Sequence, residues 1–257
     1  MIGLFKRLVS GIQARDFVPP VCGKIAGKFR NYFHLAPPQK RTAHYQYLPL
    51  DYHPDFVLDI GAATGFTGYA ALQSFDRIPV YCLEPLEENF ITLKKSLAAF
   101  PEYTRASAYN LAVSDCEGEM EINVTSSRYS NSLFDLPEIY RKDNPDIQVT
   151  EKRKIQVVTL DGFTQVHKLE GHGLVKIDVE GAELNVLTGG EKFFKQQVSA
   201  VILELAFNRG CFRIDQVMNK LSEYNFLLYN VFDIFRSDAP ENRLVQMDAV
   251  YLKKDPK

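Results

Sequence analysis

Phe56-Val57-Leu58-Asp59-Ile60-Gly61-Ala62-Ala63-Thr64-Gly65-Phe66 is the stretch on which the reading of the fold turns. Phe56 to Ile60 has the length and branching of a buried strand, and Phe66, Tyr69, Ala70 and Leu72 then recur at helical spacing. The residues between them are small. Together they spell a strand, a tight loop and a helix, and the next apolar run, Pro79 to Leu83, closes on Glu84.

Glycine and alanine in such a loop put no bulky side chain in a ligand's way, so backbone amides and the positive end of the helix can approach it closely. Two cofactor classes use this geometry. A dinucleotide site asks for G-x-G-x-x-G, whose middle glycine makes room for a pyrophosphate, and for an acid about 20 residues further on. Here the row reads Gly61-x-Ala63-x-Gly65, with Asp59 standing before it. A carboxylate at that strand end repels a pyrophosphate but suits the cationic amino group of S-adenosylmethionine. Glu84 is then placed to accept hydrogen bonds from both ribose hydroxyls. The plainer alternative is an ordinary turn in which Asp59 caps the helix and Glu84 is solvated.

Four blocks carry a family resemblance: Val57 to Ala62, Glu84-Pro85, Val158-Thr159-Leu160-Asp161, and Lys176-Ile177-Asp178-Val179-Glu180-Gly181-Ala182-Glu183-Leu184-x-Val186-Leu187. They resemble the signature blocks of FkbM-type methyltransferases, and the last is far more specific than the glycine loop. The resemblance runs over about residues 55 to 205. It implies S-adenosylmethionine dependence and, for most members, O-methylation of hydroxyls on sugars, polyketides and other metabolites. It also implies an α/β, Rossmann-like class I methyltransferase fold, with a mostly parallel seven-stranded sheet, an antiparallel last strand and helices on both faces. The cofactor contacts it suggests are Asp59, Gly61, Ala63, Gly65, Phe66, Glu84, Pro85 and Asp178. One departure is visible: the family commonly has Asn where this chain has Ala63, which bears on a contact to the methionine carboxylate.

The bulk composition agrees with one large core plus an appendage: the chain has 257 residues and 46% hydrophobic content. The cysteines at 22, 82, 116 and 211 show neither metal-like nor redox-like spacing, so a reducing compartment is the plain expectation. No run approaches the ~18 apolar residues of a membrane span, and no signal-peptide core is present. The expected location is the cytoplasm.

Charge is unevenly spread. Residues 1 to 50 hold Lys6, Arg7, Arg15, Lys24, Lys28, Arg30, Lys40 and Arg41 against the single acid Asp16, while the whole chain carries a net charge of -2. Met1 to Ile12 places Leu4, Phe5, Leu8, Val9 and Ile12 on one helical side with Lys6 and Arg7 opposite. Such a helix can lie on an anionic membrane surface, dock on a partner, or pack on its own domain. Nucleic acid is not an expected partner, since the basic residues form no recognised module and the rest of the chain is acidic. The domain division is therefore 1–54, a basic helical extension or lid, and 55–257, the methyltransferase domain, with an insertion at 119–160. His44 and His53 fall in the extension, where a lid can bring a general base to a catalytic centre. A lone histidine in a loop can equally be structural.

Further along, Leu86 to Phe100 reads as a helix and Tyr109 to Val113 as a third strand. In this fold class the residues leaving the third strand line the adenine, which makes Asn110, Ala112 and Ser114 candidates. Asn110 can alternatively serve only backbone groups at a strand edge. Met120, Ile122 and Val124 alternate, residues 125 to 154 are polar, and Ile155 to Leu160 returns as a strand expected to pair with Glu119 to Val124 as an extension of the sheet. So long an excursion is either functional, here as substrate selection, or a disordered linker.

Leu174 to Asp178 is a strand that ends in an acid and opens on a helix expected from Ala182 to Phe194. A carboxylate there costs several kcal/mol without compensation, and Lys176, two residues earlier on the same side, can supply it. Asp178 can orient an acceptor hydroxyl, take its proton, or bind a divalent cation such as magnesium with Glu180 and Glu204. No committed oxygen cage is legible, so no metal ligand is assigned. Glu183 is adequately explained as a first-turn acid at a helix N-terminus. Val198 to Leu203, a helix from Ile214 to Tyr224, and the antiparallel pair Phe226 to Phe232 and Val245 to Leu252 complete the pattern. Phe207, Asn208, Arg209 and Gly210 lie at the same sheet edge as acceptor-side candidates, whereas Phe232 and Phe235 read as core. The expected activity is O-methyl transfer to a small hydroxylated acceptor, a sugar or secondary metabolite. An NAD(P)-dependent oxidoreductase and a non-catalytic cofactor-binding module are the alternatives. Oligomeric state is not legible.

Overall fold

The computed structural model describes residues 41–99, 103–209, 214–238 and 240–254. The strands are β1 (Phe56–Ile60), β2 (Val80–Leu83), β3 (Ala106–Tyr109), β4 (Ala112–Ser114), β5 (Gly118–Thr125), β6 (Val149–Thr159), β7 (Gly173–Ile177), β8 (Val198–Ala206), β9 (Phe226–Arg236) and β10 (Leu244–Lys253). Seven of them form one sheet in the order β3-β2-β1-β7-β8-β10-β9. β1 pairs in parallel with β2 and β7, β2 with β3, and β7 with β8. β10 runs against both neighbours, β8 and β9. The last strand alone is therefore reversed, as expected.

Every residue of β1 and β7 is buried, the pattern of parallel strands covered on both faces. On one face Val57, Leu174, Ala200 and Ile202 pack under helices α1 (Phe66–Ser74) and α2 (Glu87–Ala98) and under a 3-10 turn that precedes β1, Ala43–Tyr47. On the other, Leu58, Ile60, Val175, Ile177 and Leu203 meet residues of α4 (Leu160–His167), α5 (Glu183–Gly189), α6 (Glu191–Gln196) and α7 (Ile214–Glu223). The short α3 (Glu138–Asp143) belongs to the insertion.

Three sequence-based boundaries shift, each for a local reason. The third strand is Ala106–Tyr109 rather than 109 to 113, because Asn110 Nδ2 donates to the carbonyls of Glu84 (2.9 Å) and Pro85 (2.8 Å) and turns the chain out of the sheet. Ala112–Ser114 then joins a separate three-stranded sheet, order β4-β6-β5. The antiparallel pairing of β5 with β6 is as expected, but it builds this second sheet, with its own small core of Leu86, Ala112, Ile122, Val124, Ile155 and Val157, instead of extending the first. The helix expected from Ala182 to Phe194 breaks at Gly189-Gly190 into α5 and α6. Glycine is the weakest non-proline helix former, and Gly189 also lies where a Cβ would collide with the backbone carbonyl of Ser114. That contact seats α5 on β4.

The expectation of Phe235 in the core is corrected: it is 44% exposed on the edge strand β9, whereas Phe232 is buried and stacks on Tyr47 at 4.0 Å. Residues 41–54, assigned from sequence to the extension, pack on this same body through buried Tyr45 and through Tyr52, whose hydroxyl meets Ser199 Oγ at 2.9 Å. Met1 to Ile12 with its membrane contact, Phe100 and Gly210 lie outside the described residues. No helix among the described residues is long and apolar enough to cross a membrane.

Replacing Gly189 by Ala is expected to lower unfolding free energy by about 1–3 kcal/mol through overpacking against Ser114. Helix propensity alone has the opposite sign, a gain of about 1 kcal/mol. A urea midpoint that falls at unchanged slope supports the packing account, and one that rises refutes it.

Candidate active site

The loop after β1 is held in a shape few sequences adopt. Gly61 (φ 80), Ala63 (φ 46) and Gly65 (φ 92) are all left-handed, and a Cβ on Gly61 would strike the carbonyl of Asp178. The loop thus lies directly on the end of β7, where Asp178 N donates to Ile60 O at 3.0 Å. Glu84, at the end of β2, organises it from the other side. Its Oε2 accepts from Ala63 N and its Oε1 from Leu86 N, both at 2.9 Å, while Asn89 Nδ2 approaches Oε1 at 3.5 Å. A carboxylate has about four lone-pair sites, so the backbone does not exhaust it.

Asp59, near the end of β1, is 1% exposed. Its Oδ2 accepts from Thr67 Oγ1 in the first turn of α1, but its Oδ1 is buried with no hydrogen-bond partner among the described residues. A buried orphan acceptor at a carboxylate invites a cationic donor. Burial pushes the Asp59 carboxyl up to about 6 and that of Glu84 to about 7, the direction that a bound cation or hydroxyl donors reverse. Small left-handed turn residues, an unsatisfied acid and a loop-binding acid fit the methionine and ribose ends of S-adenosylmethionine. Pro85 is half-buried beside Glu84, and Phe66 stands 65% exposed at the start of α1. Ala112 and Ser114 require correction as adenine contacts: Ala112 is buried in the small sheet's core, and Ser114 is fully buried against the far end of α5. The residues leaving the true third strand are Asn110 and Leu111, and Asn110's amide serves the backbone carbonyls named above.

On the next strand Lys176 is 1% exposed, and its Nζ lies 3.0 Å from Asp178 Oδ2. Asp178 itself is half-buried and open to solvent. Burial works to lower the lysine's affinity for its proton, yet Asp178, Asp248, Asp59 and Glu204 together hold it above the ordinary value. In register, Asp59 is opposite Lys176, and Glu204 is opposite Asp248. Glu180 (φ 54) and Gly181 (φ 106) turn the chain after Asp178, and Glu183 accepts from Gly181 N at 3.0 Å. Burial pushes Glu183 up to about 7.

The insertion folds over this edge as a cap. Asn89 Nδ2 donates to Arg128 O at 2.9 Å, and Tyr129 OH meets Thr64 Oγ1 at 3.4 Å, both on the side of the glycine loop. Across the edge, Ser132 Oγ donates to Glu180 O at 2.8 Å. Arg209 pairs with Glu180, donates to Tyr140 OH at 3.1 Å, and lays its guanidinium 3.8 Å from the Tyr140 ring centre. Asn208 Nδ2 donates to Asp143 Oδ2 at 2.8 Å. Asn208 and Arg209, expected at the acceptor, are thus engaged in fastening the cap, and the linker alternative for residues 125 to 154 falls away.

The two candidate histidines separate. His53 precedes the first residue of β1 by three positions and is exposed, so the strand's length of ~16 Å divides it from the edge where the acids gather. That corrects its place in the catalytic list. His44 does reach the edge, with Nε2 3.9 Å from Asp248 Oδ2. Burial, with Lys176 next in effect, lowers its pKa to about 3, which leaves a neutral and weakly basic imidazole. Asp248 was missed in the sequence, although an acid between Val245, Met247, Ala249 and Val250 gives the signal that singled out Asp59 and Asp178.

Two sets of three side chains bring ligand atoms within 4.8 Å of one another: Asp178, Glu180 and Glu204, and His44, Asp233 and Asp248. The first is the set raised from sequence. Its Asp178 and Glu180 already face Lys176 and Arg209, so much of their charge is answered by the protein.

The sequence pattern of the Methyltransferase FkbM domain matches residues 59–228. A 2-O-methyltransferase, NoeI, of Sinorhizobium fredii (strain NBRC 101917 / NGR234) is 23% identical over 163 residues, covering 61% of this chain and 66% of the relative. Among solved structures, the precorrin-6y C5,15-methyltransferase of Geobacter metallireducens GS-15 aligns with a TM-score of 0.44 at 8% identity, over 79% of this chain and 82% of that one. The ribosomal protein L11 methylase of Lactobacillus delbrueckii subsp. bulgaricus aligns at 0.37 and 13%, over 78% and 71%. The domain match spans more than half of the chain and contains the glycine loop, Glu84 and the Lys176 to Leu187 block. The chain belongs to the FkbM methyltransferase family.

Proposed function

We propose that this enzyme methylates a hydroxyl of a sugar or other small hydroxylated metabolite, with Asp178 as proton acceptor. The observation that carries the reading is the half-buried Asp178 carboxylate held 3.0 Å from a fully buried Lys176, one strand away from the orphan Asp59. The relative's description as a 2-O-methyltransferase points the same way.

Bound S-adenosylmethionine supplies a methyl group already activated by its sulfonium charge. The protein's work is then positioning and proton removal. Asp59 receives the cationic amino group, and the remaining capacity of Glu84 takes ribose hydroxyls. The left-handed turn of small residues from Gly61 to Gly65, whose amides at 61, 62, 63 and 65 are tied to Leu83, Glu84 and Ala62, leaves room for the rest of the donor against its backbone. Residues 127 to 132 cap the glycine-loop side of the edge and leave Asp178 open to the acceptor. Holding two reacting groups in line supplies about 7–11 kcal/mol of a barrier in favourable cases. A sugar hydroxyl is a poor nucleophile, and Asp178 removes its proton as the bond forms, a contribution of ~10²–10⁴-fold. Lys176 keeps that carboxylate anionic and aimed, because two residues apart on one strand their side chains share a face. The proton rests on Asp178 rather than on His44, whose ring is weakly basic here, or on His53 at the opposite edge.

Asp178→Asn should lower kcat by roughly 10²–10⁴-fold while calorimetric S-adenosylmethionine affinity changes little. Full turnover in that variant removes Asp178 as base. Asp59→Asn should lose donor affinity, and NAD should give no heat. Binding of NAD in place of S-adenosylmethionine overturns the reading.

A pH signature follows from the same acids. Asp59 and Glu84 titrate near 6 and 7 in the fold against 3.8 and 4.5 as ordinary side chains, so the folded state binds protons that the unfolded chain has released. Their contribution to stability is full below about pH 4 and is lost as pH rises through 6 to 7. The ligand-free melting temperature should therefore fall between pH 5 and pH 8, with a shallower fall in Glu84→Gln. S-adenosylmethionine should raise it more at pH 8, where Asp59 is ionised. A melting temperature that climbs over this interval contradicts the assignment.

A further inference from the structure

We infer that His44, Asp233 and Asp248 form a binding site for a divalent transition-metal cation of the manganese or zinc class. The three come from the 3-10 turn, β9 and β10, and no role in donor binding or proton removal uses them. Each offers a ligand atom within 4.8 Å of the other two. Contraction of about an ångström would place them around an ion at ~2.1 Å. One imidazole and two carboxylates make a mixed nitrogen and oxygen set, which suits manganese or zinc better than magnesium.

The backbone is built to bring the second carboxylate there. Asp248 is paired directly with Phe232, and Gln246 with Phe235, so Asp233 and Ile234 face the single residue Met247 in a bulge. In a regular strand Asp233 would point away from Phe232, Asp248 and the His44 ring, which lies 5.6 Å from the Phe232 ring. The bulge, with Asp233 at φ 46, turns it to their side. That left-handed conformation costs about 1–2 kcal/mol for a residue with a Cβ.

The result is two like charges side by side, of which Asp248 feels Lys176 only from beyond ion-pair distance. Among the described residues no lysine or arginine nitrogen comes within 4.0 Å of Asp233 or Asp248, and Lys176 is taken up by Asp178. A buried carboxylate such as Asp248, held beside a second one, is stabilised by a shared cation. His44 Nδ1 is also buried without a hydrogen-bond partner among the described residues, so the ring is not committed elsewhere. Asp233 is exposed, which leaves an entry path and open coordination positions for water or a hydroxyl. The set of Asp178, Glu180 and Glu204 differs on this point, since two of its three acids already face cationic side chains.

The inference does not rest on methyl transfer and is read on the full-length protein without acceptor. Mn²⁺ is titrated in and its free-ion electron paramagnetic resonance signal followed, with Zn²⁺ as competitor. Binding of a single displaceable Mn²⁺ per chain is expected, weakened by about tenfold or more in Asp248→Asn, His44→Gln and Asp233→Gly. The glycine variant keeps the bulge, because glycine adopts a positive φ without strain. S-adenosylmethionine calorimetry on each variant verifies its fold and keeps the donor site as a separate readout. Glu204→Gln should bind Mn²⁺ like the unaltered chain. No binding of either ion below about 1 mM, affinity unchanged in His44→Gln and Asp233→Gly, or loss confined to Glu204→Gln would each overturn the assignment.

Discussion

An ammonium group with almost no access to water sits in the middle of the sheet, and the chemistry of the molecule is arranged around it. Burying Lys176 costs several kcal/mol unless partners compensate. Compensation comes from Asp178 at 3.0 Å and, across neighbouring strands, from Asp59, Glu204 and Asp248. Parallel pairing of β1, β7 and β8 makes this possible, since it lines up the carboxyl ends of strands that are distant in sequence. Asp59 and Asp178 thereby become two ends of one electrostatic unit. One faces the glycine loop and the other faces solvent at the place where an acceptor would enter.

The loops at that edge are fixed by hydrogen bonds rather than by packing alone. Glu84 ties the loop after β1 to the start of α2, and Arg209 ties the cap to Glu180 in the turn after β7. Left-handed Ala63 and Glu180 would each cost free energy in isolation. They are held because neighbouring groups leave the backbone no better arrangement. The cap is anchored on both sides, at Asn89 and Thr64 on one and at Glu180 and Asn208 on the other, so it bridges the donor and acceptor halves of the edge.

What the sequence made legible follows from range. Strand, loop and helix near Gly61, the Lys176 to Leu187 block and the Lys176–Asp178 pairing are encoded within a few residues, where alternation and helical spacing speak directly. The parallel sheet with its reversed last strand followed from those elements and the family resemblance. Asn110 misled the reading because a side-chain amide capturing two carbonyls leaves no periodic trace, and Ala112 and Ser114 went with it. His53 misled it because a residue's position before a strand does not announce which sheet edge it occupies until the strand's direction is known. Arg209 looked like a ligand-binding residue, and its partners in the insertion, Ser130 and Tyr140, lie 79 and 69 positions away. Asp248 carried a signal no weaker than Asp59 and was passed over for want of a motif around it.

A protein selected for stability alone would not keep this edge. Replacing a buried ion pair by well-packed apolar side chains is commonly neutral or stabilising by about 1–4 kcal/mol. Here a lysine, Asp59, Glu84, Glu183, Glu204 and Asp248 are retained together, and burial pushes every one of those acids toward its protonated form. Such a deficit of positive charge is costly in the empty protein and becomes favourable when a cation arrives. A sulfonium nucleoside with a charged amino group answers the part at Asp59, and a metal ion would answer the part at Asp233 and Asp248. The energetic penalty of the empty edge is in this sense the source of its selectivity, since a neutral or anionic ligand would leave the penalty in place.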